Sequence, residues 1–208
     1  VLRRTNGKMK ILFLSELFYP HGGGAELAIY LYAKLLAKAG FNIVVVTNCL
    51  DRKPSLFKRE GLTICRMNLI EQGGSVKYSI FPRFDILLSS FMRKMIKWSD
   101  IVYIPRLWFS AIPLAKMFGK PVMIHLHDYI PVCPLSSAQN LSKNATCNHK
   151  SFMCSPKCIY AFERNQSRGL RDTLISVGLN TTIGNYIGRF VELSDAVICV
   201  SKAHRNII

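Results

Sequence analysis

Short apolar runs and longer amphipathic runs alternate along the first 50 residues of this chain of 208 residues. Residues 10–14 are mostly apolar and predict a buried strand, and residues 43–47 predict a second one. Between them, residues 27–39 carry apolar positions at helical spacing, and Gly40 marks the end of the predicted helix. The pattern predicts one βαβ unit whose first loop lies at the carboxyl end of a strand, the edge at which open parallel sheets bind ligands.

The same alternation continues along the rest of the chain. Residues 51–61 are predicted to be a polar loop. Further strands are predicted at 62–67, 100–105, 121–126 and 196–200, and helices at 84–98, 109–118, 159–177 and 182–193. Strands that alternate with helices form parallel sheets covered on both faces. The predicted fold class is therefore α/β, a Rossmann-like parallel sheet with helices on both faces.

Three consecutive glycines, Gly22, Gly23 and Gly24, precede the first predicted helix. They let the backbone turn tightly and let a ligand approach closely. The helix N-terminus behind them offers N–H groups and a positive dipole end to a phosphate or a sugar oxygen. Glu26, in the first turn, either complements that dipole or folds over a ligand. The segment matches neither the dinucleotide-binding motif nor the P-loop, and a turn that only reverses the chain is the alternative interpretation.

His127 and Asp128 follow the strand predicted at 121–126, at the same edge of the sheet as the glycines. Titratable side chains that converge with such a loop are candidates for a catalytic site. Arg106 follows another predicted strand and is a candidate for substrate binding at that edge. The alternatives are a histidine that caps a strand end, an aspartate that starts a turn, and an exposed loop arginine. His125 shares the strand face of His127 and is expected deeper in the sheet.

Composition limits the class of protein. A chain of this length supplies one sizeable α/β domain rather than two. Its net charge of +16 attracts nucleic acid, anionic lipid headgroups or phosphorylated substrates, unless a further domain carries the balancing acid. No apolar run approaches the ~20 residues that span a bilayer, and the apolar run at 11–14 is too short for a signal-peptide core. We therefore expect a cytoplasmic protein.

Four of the seven cysteines crowd one predicted loop at about residues 130–160: Cys133, Cys147, Cys154 and Cys158. Four sulfurs in a polar segment with little core of its own suit a tetrahedral Zn²⁺ ion, which would be structural rather than catalytic. Two disulfides are an alternative, although a cytosolic compartment disfavours them. Four free thiols and an iron–sulfur cluster are the remaining alternatives.

Three motifs in chain order resemble those of the retaining GT-B glycosyltransferases of glycosyltransferase family 4. Residues 18–26, Phe-Tyr-Pro-His-Gly-Gly-Gly-Ala-Glu, are similar to the loop that opens the N-terminal domain of that family. Residues 122–128 resemble its strand that ends in His-Asp, and residues 194–201 resemble the segment that closes the domain. The resemblance spans nearly the whole chain. It implies one N-terminal, acceptor-side domain at 1–208, half of a GT-B fold, with a cysteine-rich insertion.

The resemblance implies a nucleotide-sugar-dependent hexosyltransferase. Gly22, Gly23 and Gly24 would approach the phosphate or sugar of the donor. His127 would help to hold the donor sugar or an acceptor hydroxyl, and Asp128 would orient the imidazole or contact the acceptor. Transfer with retention is expected to proceed by front-face displacement, in which the protein supplies orientation and charge stabilisation.

The second Rossmann domain of that family, which carries the donor determinants, is missing from these 208 residues. We therefore expect this part alone to be inactive, with a C-terminal donor-binding domain of the same protein as its partner. The resemblance also implies a sugar or lipid-linked acceptor at the cytoplasmic membrane face, and peripheral contact with anionic lipid.

Two other classes of protein compete with this interpretation. A basic Rossmann-like module that binds nucleic acid or other anions is the alternative function. No recognised nucleic-acid-reading motif supports it, so no nucleic-acid partner is expected. A nicotinamide-dependent enzyme would need the glycine fingerprint that the first loop lacks.

Overall fold

The computed structural model describes residues 7–49, 53–67, 89–133, 135, 139–140, 145–147, 155–166 and 169–208. The chain divides into two compact units. The first unit comprises residues 1–125 and 194–198, and the second comprises residues 126–193 and 199–208.

A mostly parallel sheet forms the centre of the first unit. The strands of the chain are β1 (Lys10–Leu14), β2 (Asn42–Asn48), β3 (Ser55–Arg59), β4 (Leu62–Met67), β5 (Ile101–Ile104), β6 (Val122–Leu126), β7 (Gln139–Asn140), β8 (Ala145–Thr146) and β9 (Ala196–Cys199). Over the described residues, the large sheet has seven strands in the order β3-β4-β2-β1-β5-β6-β9, while β7 and β8 form a separate antiparallel pair.

The pairs β1–β2, β1–β5, β2–β4 and β5–β6 are all parallel, which confirms the predicted α/β sheet. Because these strands run the same way, their carboxyl ends meet at one edge. The central strand β1 is buried on both faces, with Leu12, Phe13 and Leu14 fully inaccessible. Burial of each such side chain stabilises the fold by about 1.5–3 kcal/mol.

The predicted polar loop at 51–61 is wrong over its second half. Residues Ser55–Arg59 form β3, which pairs antiparallel with β4. The hairpin turns at Glu60 and Gly61, whose φ angles are 51° and 82°. Backbone pairing with β4 stabilises this strand. Burial contributes little, because Phe57 is the one residue of β3 that is not exposed. Lys58 and Arg59 are exposed at this outer edge of the sheet.

Helices flank the strands in chain order: α1 (Gly24–Lys38), α2 (Ser90–Trp98), α3 (Ala111–Met117), α4 (Ser155–Asn165), α5 (Leu170–Glu192) and α6 (Lys202–Ile207), with a 3₁₀ turn at Trp108–Ser110. Helix α1 packs on the sheet, since Ile29 and Ala33 share a core cluster with Phe13 and Val45. The helices predicted at 84–98 and 109–118 are confirmed in their described parts, and residues 84–88 lie outside the described residues. No helix of the described part of the chain combines the length and apolar character needed to cross a bilayer.

The predicted boundary between the helices at 159–177 and 182–193 is wrong. Helix α4 ends at Asn165, and α5 then runs without a break from Leu170 past Gly178. Asn180 donates to the carbonyl and hydroxyl oxygens of Ser176, and the Thr182 hydroxyl donates to the Gly178 carbonyl. These polar side chains bond back to their own helix, so the glycine and the polar residues that follow it do not interrupt it.

Candidate functional site

The glycine segment is closed over by a carboxylate of its own helix. Gly22 has a φ of 107°, which favours glycine, and α1 begins two residues later. The Glu26 carboxylate oxygen Oε2 accepts a hydrogen bond of 2.6 Å from the Gly23 N–H. Of the two roles predicted for Glu26, the structure shows the first: it complements the N-terminus of α1.

Arg106, which follows β5, contacts two buried glutamates: Glu16 after β1 and Glu26 in the first turn of α1. Its Nη1 atom donates to Glu26 Oε1. Its Nε atom lies 3.1 Å from Oε1 of Glu16, which follows β1. Glu16 and Glu26 are 5% and 2% exposed, whereas a quarter of the Arg106 side chain remains accessible. The structure thus brings Gly23, Glu26 and Arg106 together, and it places Glu16 beside them.

The electrostatics of Glu26 favour its ionised form. Burial of its carboxyl raises the pKa, but the hydrogen bonds from backbone N–H groups, with Gly23 first, and the guanidinium of Arg106 together hold it below its ordinary value. Glu26 is therefore ionised at neutral pH. It acts as a hydrogen-bond acceptor for N–H or hydroxyl groups and not as a proton donor.

Beneath this edge, a buried tyrosine and a buried histidine form a pair within the first unit. The Oη atom of Tyr103, on β5, lies 2.7 Å from Nδ1 of His125, on β6. The two residues are 7% and 4% exposed, which confirms that His125 lies deep in the sheet. Burial, followed by the proximity of Tyr32, raises the pKa of Tyr103 far above its ordinary value. The phenol is therefore neutral, and the pair fixes β5 to β6.

His127 and Asp128 lie in the second unit, directly after β6. The His127 side chain is half-buried. Asp128 Oδ1 accepts a hydrogen bond of 3.1 Å from the backbone N–H of Ile130, so this aspartate does start a turn, as its alternative interpretation stated. The Asp128 carbonyl oxygen lies 2.8 Å from Nε2 of His204.

The cysteine cluster is described in part. Cys133 and Cys147 are half-buried and Cys158 is buried on α4, while Cys154 lies outside the described residues. Within the described ranges, no group of three or more His, Cys, Asp or Glu side chains could hold a metal ion. The zinc site therefore stays a prediction.

Sequence reasoning missed three residues that the structure places beside the predicted ones. Glu16 follows β1 at the ligand-binding edge of the sheet, so the rule that singled out Arg106 would also have found it. Tyr103 and His204 gave no such signal, because their partners are distant in sequence: His125 lies 22 residues from Tyr103, and Asp128 lies 76 residues from His204.

A parallel sheet with a glycine segment, an ionised carboxylate and an arginine beyond the carboxyl ends of its strands is an arrangement in which α/β domains bind ligands. The family model of Glycosyltransferase Family 4 matches residues 22–208. The chain belongs to that family, which confirms the resemblance carried by its three motifs.

Solved structures provide further comparisons. Sucrose-phosphate synthase from Thermosynechococcus elongatus is 15% identical, over 74% of this chain and 40% of that chain, with a TM-score of 0.45. UGT71G1 of Medicago truncatula, complexed with UDP-glucose, is 12% identical, over 96% of this chain and 48% of that chain, with a TM-score of 0.47. The chain therefore spans less than half the length of these two structures. No curated protein is significantly similar to it.

Proposed function

We propose that this chain is the acceptor-side, N-terminal domain of a retaining, nucleotide-sugar-dependent glycosyltransferase with a GT-B fold. The observation that carries the proposal is the family match over residues 22–208, joined to a charged cluster at the ligand-binding edge of the sheet. A C-terminal domain of the same protein would bind most of the donor, so residues 1–208 alone would not transfer sugar.

The charged cluster suits a polyhydroxylated substrate. Glu26 is ionised and would accept a hydrogen bond from a sugar hydroxyl, while the accessible part of Arg106 would face the substrate. Gly22, Gly23 and Gly24 would let the phosphate or sugar of the donor approach the backbone.

His127 would contact the donor sugar or the acceptor hydroxyl at the reacting centre, and Asp128 would hold the turn that follows it. The departing diphosphate would take the proton of the acceptor hydroxyl as the new glycosidic bond forms on the same face. The protein would then contribute orientation and charge stabilisation rather than a nucleophile.

A transfer assay tests this proposal with the full-length protein and a panel of nucleotide-sugars. We expect transfer to a sugar or lipid-linked acceptor, with the anomeric configuration of the donor preserved in the product by NMR. His127→Ala should lower the rate by about 10²-fold or more. The exposed variant Lys58→Ala is the matched control and should keep the wild-type rate. Inversion of the anomeric centre would reject the retaining mechanism, and full activity of His127→Ala would reject its role.

The outer face of α1 supports a peripheral location at the cytoplasmic face of an anionic membrane. Leu27, Leu31 and Leu35 repeat at four-residue spacing and are 45%, 46% and 61% exposed. Lys38 is exposed on the same helix, and the chain carries a net charge of +16. An apolar stripe beside basic side chains suits the boundary between acyl chains and anionic headgroups.

Co-sedimentation with vesicles tests this location. Binding should need anionic lipid and fall with salt. The double variant Leu31→Ser, Leu35→Ser should lose it, whereas Leu56→Ser, which alters a leucine that is 72% exposed on β3, should not. Equal binding by all three proteins would reject α1 as the membrane-binding element.

Structural zinc held by Cys133, Cys147, Cys154 and Cys158 is a further part of the proposal. About one zinc per chain in elemental analysis, lost together with structure on chelation, would support it. No metal, with only about three reactive thiols in the denatured protein, would instead indicate two disulfides.

The net charge of +16 also favours one competitor, a module that binds nucleic acid or other anions. Oligonucleotide binding that weakens steeply with salt, combined with no sugar transfer by the full-length protein, would favour that module over the transferase.

A further inference from the structure

One buried side chain holds the turn that follows β6. His204 on α6 is 3% exposed. Its Nε2 atom lies 2.8 Å from the Asp128 carbonyl oxygen, and its ring packs edge-on against that of Tyr129, with centroids 4.7 Å apart. A carbonyl oxygen only accepts hydrogen bonds, so Nε2 carries the proton and donates it. His204 therefore contacts the two residues that come directly after His127.

The hydrogen bonds that Ile130, Val132 and Cys133 donate within this turn are local. The N–H of Ile130 donates to Asp128 Oδ1, and the N–H groups of Val132 and Cys133 donate to the Tyr129 carbonyl at 3.0 and 2.7 Å. These bonds shape the turn. The bond from His204 spans 76 residues of sequence and ties the turn to the segment after β9.

We infer that His204 is a positioning residue for His127. By holding the Asp128 carbonyl, it fixes the peptide group between Asp128 and Tyr129, one residue beyond His127, and thereby restrains the direction in which the His127 side chain leaves the strand end. The inference rests on the proposed function, in which His127 lies at the reacting centre. Reaction rates depend on such placement, because a displacement of ~1 Å at a reacting centre costs on the order of 10²-fold.

The two ring nitrogens of His204 make the inference testable by substitution. Its Nδ1 atom is buried and has no hydrogen-bond partner among the described residues, so Nε2 makes the contact that matters. A glutamine amide donates from about the position of Nε2, whereas phenylalanine keeps the ring against Tyr129 and removes the donor. His204→Gln should therefore keep the hydrogen bond to the Asp128 carbonyl, and His204→Phe should lose it.

Helix α6 needs a control of its own. Ser201 caps it by accepting a hydrogen bond of 3.0 Å from the His204 N–H. Ser201→Ala removes this cap and leaves the contact between His204 Nε2 and Asp128 in place. It therefore separates a general loss of α6 stability from the loss of the donor.

The experiment uses the full-length protein and two readouts: kcat and KM for sugar transfer, and amide hydrogen exchange of the peptide 127–133. His204→Phe should speed exchange in that peptide and lower kcat about tenfold, the effect expected for one lost hydrogen bond, with KM nearly unchanged. His204→Gln should keep both the exchange rate and kcat close to wild type. Ser201→Ala should lower the melting temperature with kcat close to wild type.

Three outcomes would overturn the inference: unchanged exchange and kcat in His204→Phe, a failure of His204→Gln to restore them, or an equal fall of kcat in Ser201→Ala. Absence of sugar transfer by the wild-type protein would instead reject the proposed function. The exchange data would in that case still decide whether His204 holds the turn.

Discussion

The Glu26 carboxylate reaches back over the glycine segment and accepts a hydrogen bond of 2.6 Å from the backbone N–H of Gly23. Its other oxygen meets the guanidinium of Arg106. Helix α1 therefore provides an anion for its own N-terminus. The Gly23 N–H and the Glu26 carboxylate thus satisfy one another within the first unit.

Glu26→Gln removes the ion pair with Arg106 and keeps an acceptor for the Gly23 N–H. We expect the free energy of unfolding at pH 7 to fall by about 1–3 kcal/mol, because Arg106 loses one of its two carboxylate partners. Urea denaturation measures this loss. The control is Lys34→Gln, which breaks an exposed 3.0 Å ion pair with Glu60 and should cost less than Glu26→Gln. If both variants lost the same free energy of unfolding, the buried ion pair of Glu26 would stabilise the protein no more than an exposed one.

The same variant predicts a pH dependence. The pKa of Glu26 in the folded protein lies below its ordinary value of 4.5. The stability that ionised Glu26 contributes is therefore fully present above about pH 4.5 and is lost as pH falls through the lower folded value. The difference in unfolding free energy between wild type and Glu26→Gln should narrow as the pH drops below the ordinary value of 4.5. A difference that stays constant below pH 4.5 would show that folding does not lower the pKa of Glu26.

Gly22 and Gly24 should differ sharply in their tolerance of alanine. A Cβ atom at Gly22 would lie 2.6 Å from Glu26 Cδ, and the φ of 107° is unfavourable for alanine. Gly22→Ala should destabilise the protein by about 1–3 kcal/mol and displace Glu26. A Cβ at Gly24 meets nothing within 4 Å, so Gly24→Ala should be neutral or stabilise α1 by up to about 1 kcal/mol. Thermal unfolding of both variants checks the order, and a more harmful Gly24→Ala would contradict it.

The parallel sheet could be predicted because its strands are buried on both faces and so appear as continuous apolar runs. The strand β1 is predicted and observed over the same residues, Lys10–Leu14. The strand β3 could not be predicted this way, since it is held by backbone pairing with β4 and buries almost nothing. A strand of this kind leaves no apolar pattern in the sequence.

The candidate site shows the same division. Arg106, after a strand, and Glu26, in the first turn of a helix, could be found from their positions in the sequence. Their mutual contact and the part played by Glu16 depend on side-chain directions that a sequence does not specify. The turn held by His204 joins segments far apart in sequence, and no local pattern signals such a contact.

The buried pair of Tyr103 and His125 predicts behaviour at alkaline pH. Burial raises the folded pKa of Tyr103 above its ordinary value of 10.0, so the folded state keeps the phenolic proton that the unfolded state releases. The stability due to Tyr103 is therefore present below about pH 10 and is lost as pH rises further. Tyr103→Phe should destabilise the protein by about 1–2 kcal/mol at pH 7 because His125 loses a partner.

An ultraviolet titration checks the protonation state directly. The phenolate absorbance of folded wild type and of folded Tyr103→Phe should coincide up to about pH 11, because the buried phenol does not ionise there. If the variant's phenolate absorbance below that pH were smaller by the amount of one tyrosine, the buried phenol would ionise there and the argument from burial would be wrong.

Asp195 should matter more to stability than its ion-pair partner. It accepts a hydrogen bond of 2.7 Å from the Val122 N–H at the start of β6, and both its oxygens contact Lys116 Nζ at 2.7 and 2.8 Å. Asp195→Ala should cost about 1–2 kcal/mol, because it leaves a backbone N–H without its acceptor. Lys116→Ala removes only a largely exposed pair and should cost about 0–1 kcal/mol. Chemical denaturation compares the two, and a larger effect of Lys116→Ala would reverse the argument.

The strand β3 also bears on how the protein behaves at high concentration. Among the described residues it is the outermost strand at one side of the sheet, and the edge of such a strand can pair with another chain. Lys58 and Arg59 stand exposed on this short edge strand. Two copies that met β3 to β3 would bring these cations together, and their repulsion opposes growth of the sheet from one molecule into the next. The exposed cations of β3, a strand that the apolar pattern did not predict, thus oppose aggregation.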